Sequence, residues 1–295
     1  MAEAMPDKLK RLLRMPRRPE DAHKGSLGKA IAIGGSRGMT GAIALTAEAA
    51  LRIGAGVVTL ACPETVQDVL ATKLTSVMTF GVADDGEGRM ASDGAEALID
   101  FAADFGYAAI GPGIGRSDGV QQFFGKVVRA FKGPAVIDAD GLFALAHDLE
   151  ALDARPERAT VLTPHVGEMA RLAGREIKEV LNDRRAAAIA FAKRHRAIVV
   201  LKGPGTIVTD GDSAFENTSG GPELATAGSG DVLTGLIVGL MAQGAPPLQA
   251  AVLGVHLHGL CGQYGADDWT TYGLISSDLV RYLPQAIRTV EGNGV

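Results

Sequence analysis

Short runs rich in Val, Ile, Ala and Thr alternate along the chain with longer stretches rich in Ala and Leu. Strands separated by helices in this way are typical of βαβ units, so the pattern predicts a mostly parallel sheet with helices on its faces. The runs predicted to be parallel strands are residues 29–33, 56–61, 76–80, 107–110, 135–138, 160–163 and 197–202. The stretches predicted to be helices are residues 42–53, 65–70, 95–103, 119–130, 167–173, 184–194, 231–241 and 247–264.

The pattern changes after the last of these strands. Apolar runs at residues 206–209 and 213–216 flank the sequence Asp210-Gly211-Asp212, and a loop of this composition favours a β-hairpin. The sheet is therefore predicted to end in antiparallel strands.

The chain is expected to form one domain. No Pro- or Ser-rich linker divides it, so residues 21–295 are predicted to fold together. Residues 1–20 carry several Lys and Arg but lack the apolar region of a signal peptide. We predict that they form a basic leader that lies on the domain surface or is flexible.

Composition narrows the classes of function. With 295 residues, of which 46% are apolar and 21% charged, the chain is long enough to bury a substantial core. A formal net charge of −5 leaves no broad basic surface, so nucleic acid is not expected as a partner. No run approaches the roughly 18 apolar residues of a membrane span, so no membrane partner is expected. Cys62 and Cys261 belong to no paired or metal-binding pattern, which fits a reducing cytoplasm.

The segment from Gly228 to Asp231 has the layout of a phosphate-handling site. Gly228 and Gly230 permit backbone conformations closed to other residues, and the apolar run that follows predicts a buried helix. The N–H groups of Gly228, Ser229 and Gly230 would form an anion hole at the positive end of the helix dipole. A carboxylate at Asp231 suits a general base, or a group that positions a hydroxyl attacking a phosphoryl centre. The alternative is that Asp231 caps the helix.

Glycine-rich loops follow other predicted strands at their carboxyl ends, where open parallel sheets bind ligands. Residues 34–42 match neither the G-x-G-x-x-G dinucleotide fingerprint nor the G-K-[ST] of a P-loop. Their glycines would instead let the backbone approach a bulky substrate. Residues 111–115 form a second glycine turn ahead of a predicted helix, which suits either an anion seat or a tight structural turn.

Charged side chains follow three further strands. Asp138 and Asp140 are predicted to project to the same side of an extended segment, where they would hold a magnesium hydration shell or form an Asx turn. His165 and Glu168 lie three apart at a predicted helix start, so both are expected at the same end of the sheet. His165 is placed to touch substrate or has a structural role. Lys202 opens a glycine loop that suits a phosphate or an adenosine phosphate.

Together these motifs resemble the ADP-dependent NAD(P)H-hydrate dehydratase family over residues 21–284. They occur in the family's order: Gly34-Gly-Ser-Arg-Gly38 with Thr40-Gly-Ala42, Gly111-Pro-Gly-Ile-Gly115, Asp138-Ala-Asp-Gly141, Thr163-Pro-His-Val-Gly-Glu168, Lys202-Gly-Pro-Gly-Thr206 and Gly228-Ser-Gly-Asp231. The last motif is shared with the wider ribokinase-like kinases. The resemblance implies a ribokinase-like fold, a three-layer α/β/α architecture whose central sheet is mostly parallel, with antiparallel strands at one end.

The resemblance also implies a metabolite-repair enzyme. Its substrate would be the S epimer of NADH or NADPH hydrated at C6 of the nicotinamide ring. ADP would be the phosphoryl donor, and the products would be NAD(P)H, AMP and phosphate. Asp231 would accept the proton of the C6 hydroxyl as that oxygen attacks ADP, and the anion hole would stabilise the developing charge. Phosphorylation would replace hydroxide with phosphate, a better leaving group.

Binding roles follow from the resemblance motif by motif. The residues implied to contact the hydrate are Ala42, Gly113, His165 and Asp231. Those implied to contact the adenine nucleotide are Lys202, Gly203, Pro204, Gly205, Thr206 and Gly230. Magnesium would bridge the phosphates, with Glu168 or Asp138 reaching it through water.

The resemblance further implies an assembly and a partner. Family members tend to form homotetramers, so a homo-oligomer is expected. The chain has no room for an N-terminal epimerase domain, so we expect a stand-alone dehydratase that works with a separate NAD(P)H-hydrate epimerase.

Two other functions remain open from the residues. A ribokinase-like kinase for hydroxyethylthiazole, hydroxymethylpyrimidine or a sugar would use the same Asp231, although residues 34–42 and His165 match the dehydratase. A nucleotide sensor without turnover would be expected to lack Asp231, which is present. The residues decide neither between ADP and ATP as donor nor between NADH hydrate and NADPH hydrate as substrate.

Overall fold

The computed structural model describes residues 7–292, which form a central β-sheet covered by helices. Within these residues the sheet has nine strands. They are β1 (Lys29–Ile33), β2 (Val57–Pro63), β3 (Met78–Val82), β4 (Tyr107–Ile110), β5 (Ala135–Ile137), β6 (Thr160–Leu162), β7 (Ile198–Leu201), β8 (Ile207–Thr209) and β9 (Ala214–Glu216). Their order across the sheet is β3-β2-β1-β4-β5-β6-β7-β8-β9.

The α-helices precede, separate and follow these strands. They are α1 (Asp7–Leu12), α2 (Thr40–Ile53), α3 (Gln67–Lys73), α4 (Ala95–Ala102), α5 (Asp118–Ala130), α6 (Asp140–Ala146), α7 (Leu149–Asp153), α8 (Val166–Ala173), α9 (Ile177–Asn182), α10 (Arg184–His195), α11 (Ser229–Ala242), α12 (Pro247–Gly273), α13 (Ser276–Leu279) and α14 (Leu283–Gly292). Single 3-10 turns lie at Glu64–Val66, Ser92–Gly94 and Pro222–Leu224.

Strand pairing confirms the predicted sheet. Strands β1 to β7 pair in parallel, whereas β8 is antiparallel to β7 and β9 is antiparallel to β8. Ile33, the last residue of β1, is level with Ala61 of β2 and Ile110 of β4. Ile137 of β5 is in turn level with Ile110 and with Leu162 of β6. This register brings the loops that follow these strands to one edge of the sheet.

The sheet is buried on both faces. Ala30 and Ala32 of β1 pack into a core with α2, α11 and α12, whereas Ile31 and Ile33 pack into a second core with α4, α5, α6, α8 and α10. Alternate side chains of a strand point to opposite faces, so one apolar strand supplies both cores. The predicted three-layer α/β/α arrangement is therefore confirmed.

Helices α2 and α11 pack closely because α11 carries glycines at their contact. A Cβ atom on Gly235 would lie 2.2 Å from the carbonyl oxygen of Thr46, and one on Gly239 would lie 2.5 Å from that of Ala50. The Thr46 hydroxyl lies 3.0 Å from the carbonyl oxygen of Asp231 and 3.1 Å from that of Ala42. This contact fixes the first turns of the two helices relative to each other.

The segment around Asp138 and Asp140 differs from the prediction. We expected an extended segment, but Ala139 has a φ of 52° and Asp140 begins α6. The chain therefore turns immediately after β5, and the two carboxylates make separate contacts.

Other differences concern short helices and element ends. Helices α1, α6, α7, α9, α13 and α14 were not predicted, and α12 continues beyond residue 264 to Gly273, with a break at Thr270. Strand β3 lies two residues later than predicted, since Met78 pairs with Thr59. The short helices are held by tertiary packing, which local periodicity does not reveal.

The part of the leader that the structure describes lies against the domain. Leu13 is buried in the core beside α12, and the Gln249 side chain donates a hydrogen bond of 2.9 Å to the carbonyl oxygen of Arg14. Residues 1–6 of the predicted leader lie outside the described residues. Between residues 7 and 292, no helix combines the length and the apolar character needed to cross a bilayer.

Candidate active site

The residues predicted to form an anion hole lie at the start of α11, where the Ser229 N–H already donates to the carbonyl oxygen of Thr226 at 3.3 Å. Gly228 occupies the N-cap position with a φ of 87°, and a Cβ atom there would lie 2.6 Å from the Ser276 hydroxyl. The N–H of Val232 donates to the Gly228 carbonyl oxygen, so those of Gly230 and Asp231 precede the first hydrogen bond within the helix. The alternative that Asp231 caps the helix is wrong, because the cap residue is Gly228 and it has no side-chain cap bond. The carboxylate of Asp231 is therefore not occupied in capping α11.

Asp231 lies in surroundings that favour its protonated form. Burial, reinforced by the negative charge of Asp138, raises its pKa to about 7. The positive charge of Lys202 opposes this shift, and the carboxylates of Asp140 and Glu168 add to it. A carboxylate with a pKa near neutrality is a much stronger base than an exposed one. Asp231 is therefore suited to take a proton from a hydroxyl.

Lys202 is held beside the anion hole by Asp138. Its Nζ lies 2.9 Å from Asp138 Oδ1 and 4.0 Å from Glu168 Oε2, and a Cβ atom on Gly230 would lie 3.1 Å from it. Burial lowers the pKa of Lys202, but the charges of Asp138 and Glu168 outweigh burial and raise it. Lys202 thus carries a positive charge where a phosphate at the helix terminus would lie.

The carboxylates of Asp138 and Asp140 are engaged in separate contacts. Asp138 Oδ2 accepts a hydrogen bond of 2.7 Å from Thr234, while Oδ1 faces Lys202. Asp140 accepts bonds of 3.1 Å from the Gly115 N–H and 2.6 Å from Arg116 Nε. Asp140 therefore holds the glycine turn after β4, and Asp138 fixes Lys202. Across residues 7–292, no three His, Cys, Asp or Glu side chains cluster as a metal site.

His165 caps α8 and also borders a cavity. Its Nδ1 accepts hydrogen bonds from the N–H groups of Gly167 and Glu168, at 3.0 and 3.3 Å. An accepting Nδ1 is unprotonated, so the ring proton lies on Nε2, which is 3.5 Å from Glu168 Oε1. Burial raises the pKa of Glu168, although Lys202 opposes the shift. The sequence alternatives of a structural and a substrate-facing His165 are thus compatible, since 61% of its side chain is exposed.

A cavity of about 1050 Å³ adjoins the anion hole. The residues implied to contact nucleotide all line this cavity, as do His165 and Ser229: Lys202, Gly203, Pro204, Gly205, Thr206 and Gly230. The apolar side chains of Leu224, Leu233 and Val255 also line it. A cavity lined both by apolar side chains and by glycines and a lysine suits a planar base joined to phosphates.

Ala42 and Gly113 meet outside this cavity. Gly113 has a φ of 63°, and a Cβ atom there would lie 3.2 Å from the Cβ of Ala42 and 2.7 Å from the Met39 carbonyl oxygen. Thr46 connects Ala42 to Asp231, as described above. The first turn of α11 therefore separates two groups of predicted residues, one along the cavity and one at Ala42 and Gly113.

Sequence reasoning missed the wall of the cavity contributed by α12 and by the loop after β9. His258 borders the cavity and lies 3.0 Å from the Ser229 hydroxyl, and burial lowers its pKa to about 4. Residues 217–221 border it as well. The only signal in the sequence was the polar, glycine-containing composition of that loop, which indicates a loop of any kind.

Comparison with known proteins adds to this geometry. A family model described as NAD(P)H-hydrate dehydratase matches residues 30–285. The bifunctional NAD(P)H-hydrate repair enzyme Nnr of Moorella thermoacetica is 41% identical over 278 residues, which are 94% of this chain and 52% of that protein. The chain thus spans about half the length of the first curated relatives that it matches.

Two further proteins match over most of their lengths. The ADP-dependent (S)-NAD(P)H-hydrate dehydratase of Xanthomonas campestris is 35% identical over 262 residues, with 88% of each chain covered. A Bacillus subtilis ADP/ATP-dependent NAD(P)H-hydrate dehydratase, co-crystallised with ATP and Mg²⁺, superposes with a TM-score of 0.80 at 29% identity, covering 96% of each chain. Ribokinase-like proteins are also among the matching structures, which confirms the predicted fold class. This chain belongs to the NAD(P)H-hydrate dehydratase family.

Proposed function

We propose that this protein dehydrates the S epimer of hydrated NADH and NADPH, using ADP as phosphoryl donor. The observation that carries the proposal is the position of Asp231, a carboxylate with a pKa of about 7 in the first turn of α11. That turn borders the cavity on one side and connects through Thr46 to Ala42 on the other. The name of the Xanthomonas campestris relative, which specifies ADP and the S hydrate, supports the same choice.

The chemistry begins with transfer of a proton. Asp231 takes the proton of the C6 hydroxyl as that oxygen attacks the β-phosphorus of ADP, and AMP leaves as the bond to the bridging oxygen breaks. The lone pair of the ring nitrogen then expels phosphate from C6. Loss of a proton from C5 restores the dihydronicotinamide, so one ADP gives one AMP and one phosphate for each NAD(P)H.

Groups around Asp231 stabilise the charge that develops on the transferred phosphoryl. The first N–H groups of α11 already point toward the transferred phosphoryl group, so they need not move as its charge develops. They also lie at the positive end of the helix dipole. Lys202, held by Asp138, supplies a full positive charge beside Gly230. His165 offers its Nε2 proton at the rim of the cavity, where we propose that it contacts the hydrate.

We propose that magnesium accompanies the nucleotide phosphates. Both oxygens of Asp138 already face Lys202 or Thr234, so this side chain does not fit as a direct ligand. Glu168 Oε2 accepts the backbone N–H of His165 at 2.8 Å, and Oε1, which lies 3.5 Å from His165 Nε2, would reach a hydrated ion. Magnesium keeps much of its water shell when it binds phosphates, so a Glu168 oxygen that reaches the ion through water would fit such a site. When bound, the ion would neutralise phosphate charge.

We also propose the wider setting of the enzyme. A single base at Asp231 serves a hydroxyl on one face of the ring, so an epimerase would be needed to repair both C6 epimers. A cytoplasmic location agrees with two buried, unpaired cysteines. A homotetramer would cover apolar side chains such as Tyr272, which is 97% exposed, and light scattering should give four times the 30.5 kDa chain mass.

An assay with hydrated NADH tests the proposal. The purified protein is mixed with chemically hydrated NADH of known epimer content, magnesium, and ADP or ATP, and the near-ultraviolet absorbance of dihydronicotinamide is followed. Recovery that depends on nucleotide, with one AMP released per NADH when ADP is used, supports the dehydratase. No recovery with either nucleotide would contradict it. In that case, phosphorylation of a thiazole, pyrimidine or sugar alcohol would favour the kinase alternative.

A further inference from the structure

Arg184 lies beneath the loop that borders the cavity, at the first residue of α10. Its guanidinium donates a hydrogen bond to the carbonyl oxygen of Pro204 through Nη1. Its Nη2 lies 3.3 Å from the carbonyl oxygen of Leu201 and 3.5 Å from those of Lys202 and Gly205. One side chain thus contacts four carbonyl groups, that of the last residue of β7 and three in the loop that follows it.

The contact between Arg184 and these carbonyl oxygens determines the direction in which the backbone N–H groups of the loop point. In a trans peptide the C=O and the following N–H point in opposite directions. Carbonyl groups of Lys202, Pro204 and Gly205 that face Arg184 therefore turn the N–H groups of Gly203, Gly205 and Thr206 away from it. These residues line the cavity, whereas Arg184 does not.

The loop is shaped to accept the guanidinium. Gly203 has a φ of 139°, and a Cβ atom there would lie 3.1 Å from Arg184 Nη2. The Lys202 N–H is fixed separately, by a bond of 2.8 Å to the Pro164 carbonyl oxygen. The loop is thus anchored at its start and held from below at its centre.

Arg184 also brings positive charge to the site. The partners of its guanidinium among the described residues are carbonyl oxygens, and its Nε is buried without a hydrogen-bond partner there. Carbonyl oxygens solvate a guanidinium but leave its charge in place. In a partly buried setting that charge acts over the short distance to the loop.

We propose that Arg184 is a positioning residue for nucleotide binding, which holds the amides of residues 203–206 toward the cavity and adds positive charge behind them. It acts through the loop and touches neither the nucleotide nor the hydrate. The inference rests on the proposed function only in taking this loop as the nucleotide seat.

Calorimetric titration of the full-length protein with ADP, in the absence of hydrate, tests the proposal. Arg184→Gln removes both the positive charge and the planar set of N–H donors of the guanidinium. Arg184→Lys keeps the charge but loses the planar set of donors. Arg185→Gln is the matched control, because Arg185 is the next residue of α10 and donates to the carbonyl oxygen of Ala214 instead.

We expect Arg184→Gln to weaken ADP binding about tenfold to a hundredfold, the range for hydrogen bonds to charged groups. Arg184→Lys should fall between it and the wild type, and Arg185→Gln should stay within about twofold of the wild type. In turnover, the KM for ADP should rise while the KM for the hydrate stays near its wild-type value. General damage to the fold would raise both.

Wild-type affinity for ADP in Arg184→Gln, or an equal loss in Arg185→Gln, would overturn the inference. If Arg184→Gln does not fold, Arg184→Lys decides: unchanged ADP affinity contradicts the proposal and a reduced affinity supports it. The titration needs no turnover. Absence of dehydration in the wild-type protein would therefore count against the proposed function and leave the role of Arg184 separately measurable.

Discussion

Two aspartates near the start of α11 have opposite roles because their neighbours differ. Asp138 is buried and contacts Lys202 at 2.9 Å and Thr234 at 2.7 Å. Asp231 is half-buried near Asp138 and Lys202, and its pKa rises to about 7. The Gly-Ser-Gly-Asp motif identified Asp231 from sequence. Its altered pKa was beyond prediction, because Asp138, Lys202 and Glu168 come from distant parts of the chain.

The raised pKa of Asp231 predicts how turnover depends on pH. A general base must be unprotonated, so kcat/KM should fall about tenfold for each pH unit below about 7 and level off above it. Initial rates of NADH recovery between pH 5.5 and 9 measure this limb. A profile that stays flat down to pH 5.5, with magnesium and ADP saturating, would rule out Asp231 as the titrating base.

The same shift predicts that Asp231 destabilises the fold at neutral and higher pH. The folded protein holds this proton up to about pH 7, whereas the unfolded chain releases it near the ordinary pKa of 3.8. The unfavourable contribution therefore develops as pH rises from about 4 to 7 and is complete above 7.

Asp231→Asn should consequently melt at a higher temperature than the wild type at pH 8. At roughly 2–4 °C per kcal/mol we expect a gain of at least about 2 °C. The gain should shrink as the pH is lowered toward 4, where the wild-type carboxyl is also neutral. Thermal melts at several pH values measure it, and a variant less stable than the wild type at pH 8 would contradict the assignment.

Among the elements, the contact between α2 and α11 positions the chemistry. Gly235 and Gly239 let α11 approach the backbone of α2, and Thr46 then connects the first turns of both helices. A shift of α11 would move Asp231 relative to Ala42. We therefore expect the packing of Gly235 and Gly239 against α2 to affect the rate of the reaction.

Gly235→Ala should therefore reduce both stability and turnover. Its Cβ would lie 2.2 Å from the Thr46 carbonyl oxygen, so the helices must separate, and overpacking of this kind destabilises by about 1–3 kcal/mol. Gly119→Ala in α5 is the control, because its Cβ would meet only the Ser117 hydroxyl, at 3.9 Å. Urea unfolding and assays of both variants measure the effect. Equal stabilities would show that the contact is not as tight as described.

Element by element, prediction from sequence succeeded where local signals were strong. The long helices and the hairpin around Gly211 follow from periodicity and turn composition, and most observed ends differ by a few residues, although α12 continues from the predicted end at residue 264 to Gly273. Helices such as α7 and α13, with 5 and 4 residues, have too few positions for a period to show. A turn after β5 was one of the sequence alternatives, but the positive φ of Ala139 was not predicted, because an alanine rarely adopts it.

For the molecule as a whole, parallel topology explains why motifs far apart in sequence meet. The loops after β1, β4, β5, β6 and β7 carry the predicted residues other than Gly228 to Asp231, and pairing in register brings these loops to one edge. Rules for open sheets foresee this. They do not foresee the wall formed by Val255 and His258, because α12 follows the sheet and reaches the cavity through tertiary packing.

Asp231 is proposed here as the base for nucleotide-dependent dehydration. The most direct measurement is the rate of ADP-dependent NADH recovery from hydrated NADH at pH 8, in wild-type protein and in Asp231→Asn. We expect the substitution to lower the rate at least about a hundredfold, the range for loss of a general base, and to leave ADP affinity within a few-fold of the wild type. An Asp231→Asn protein that keeps a tenth or more of the wild-type rate would contradict this role of Asp231.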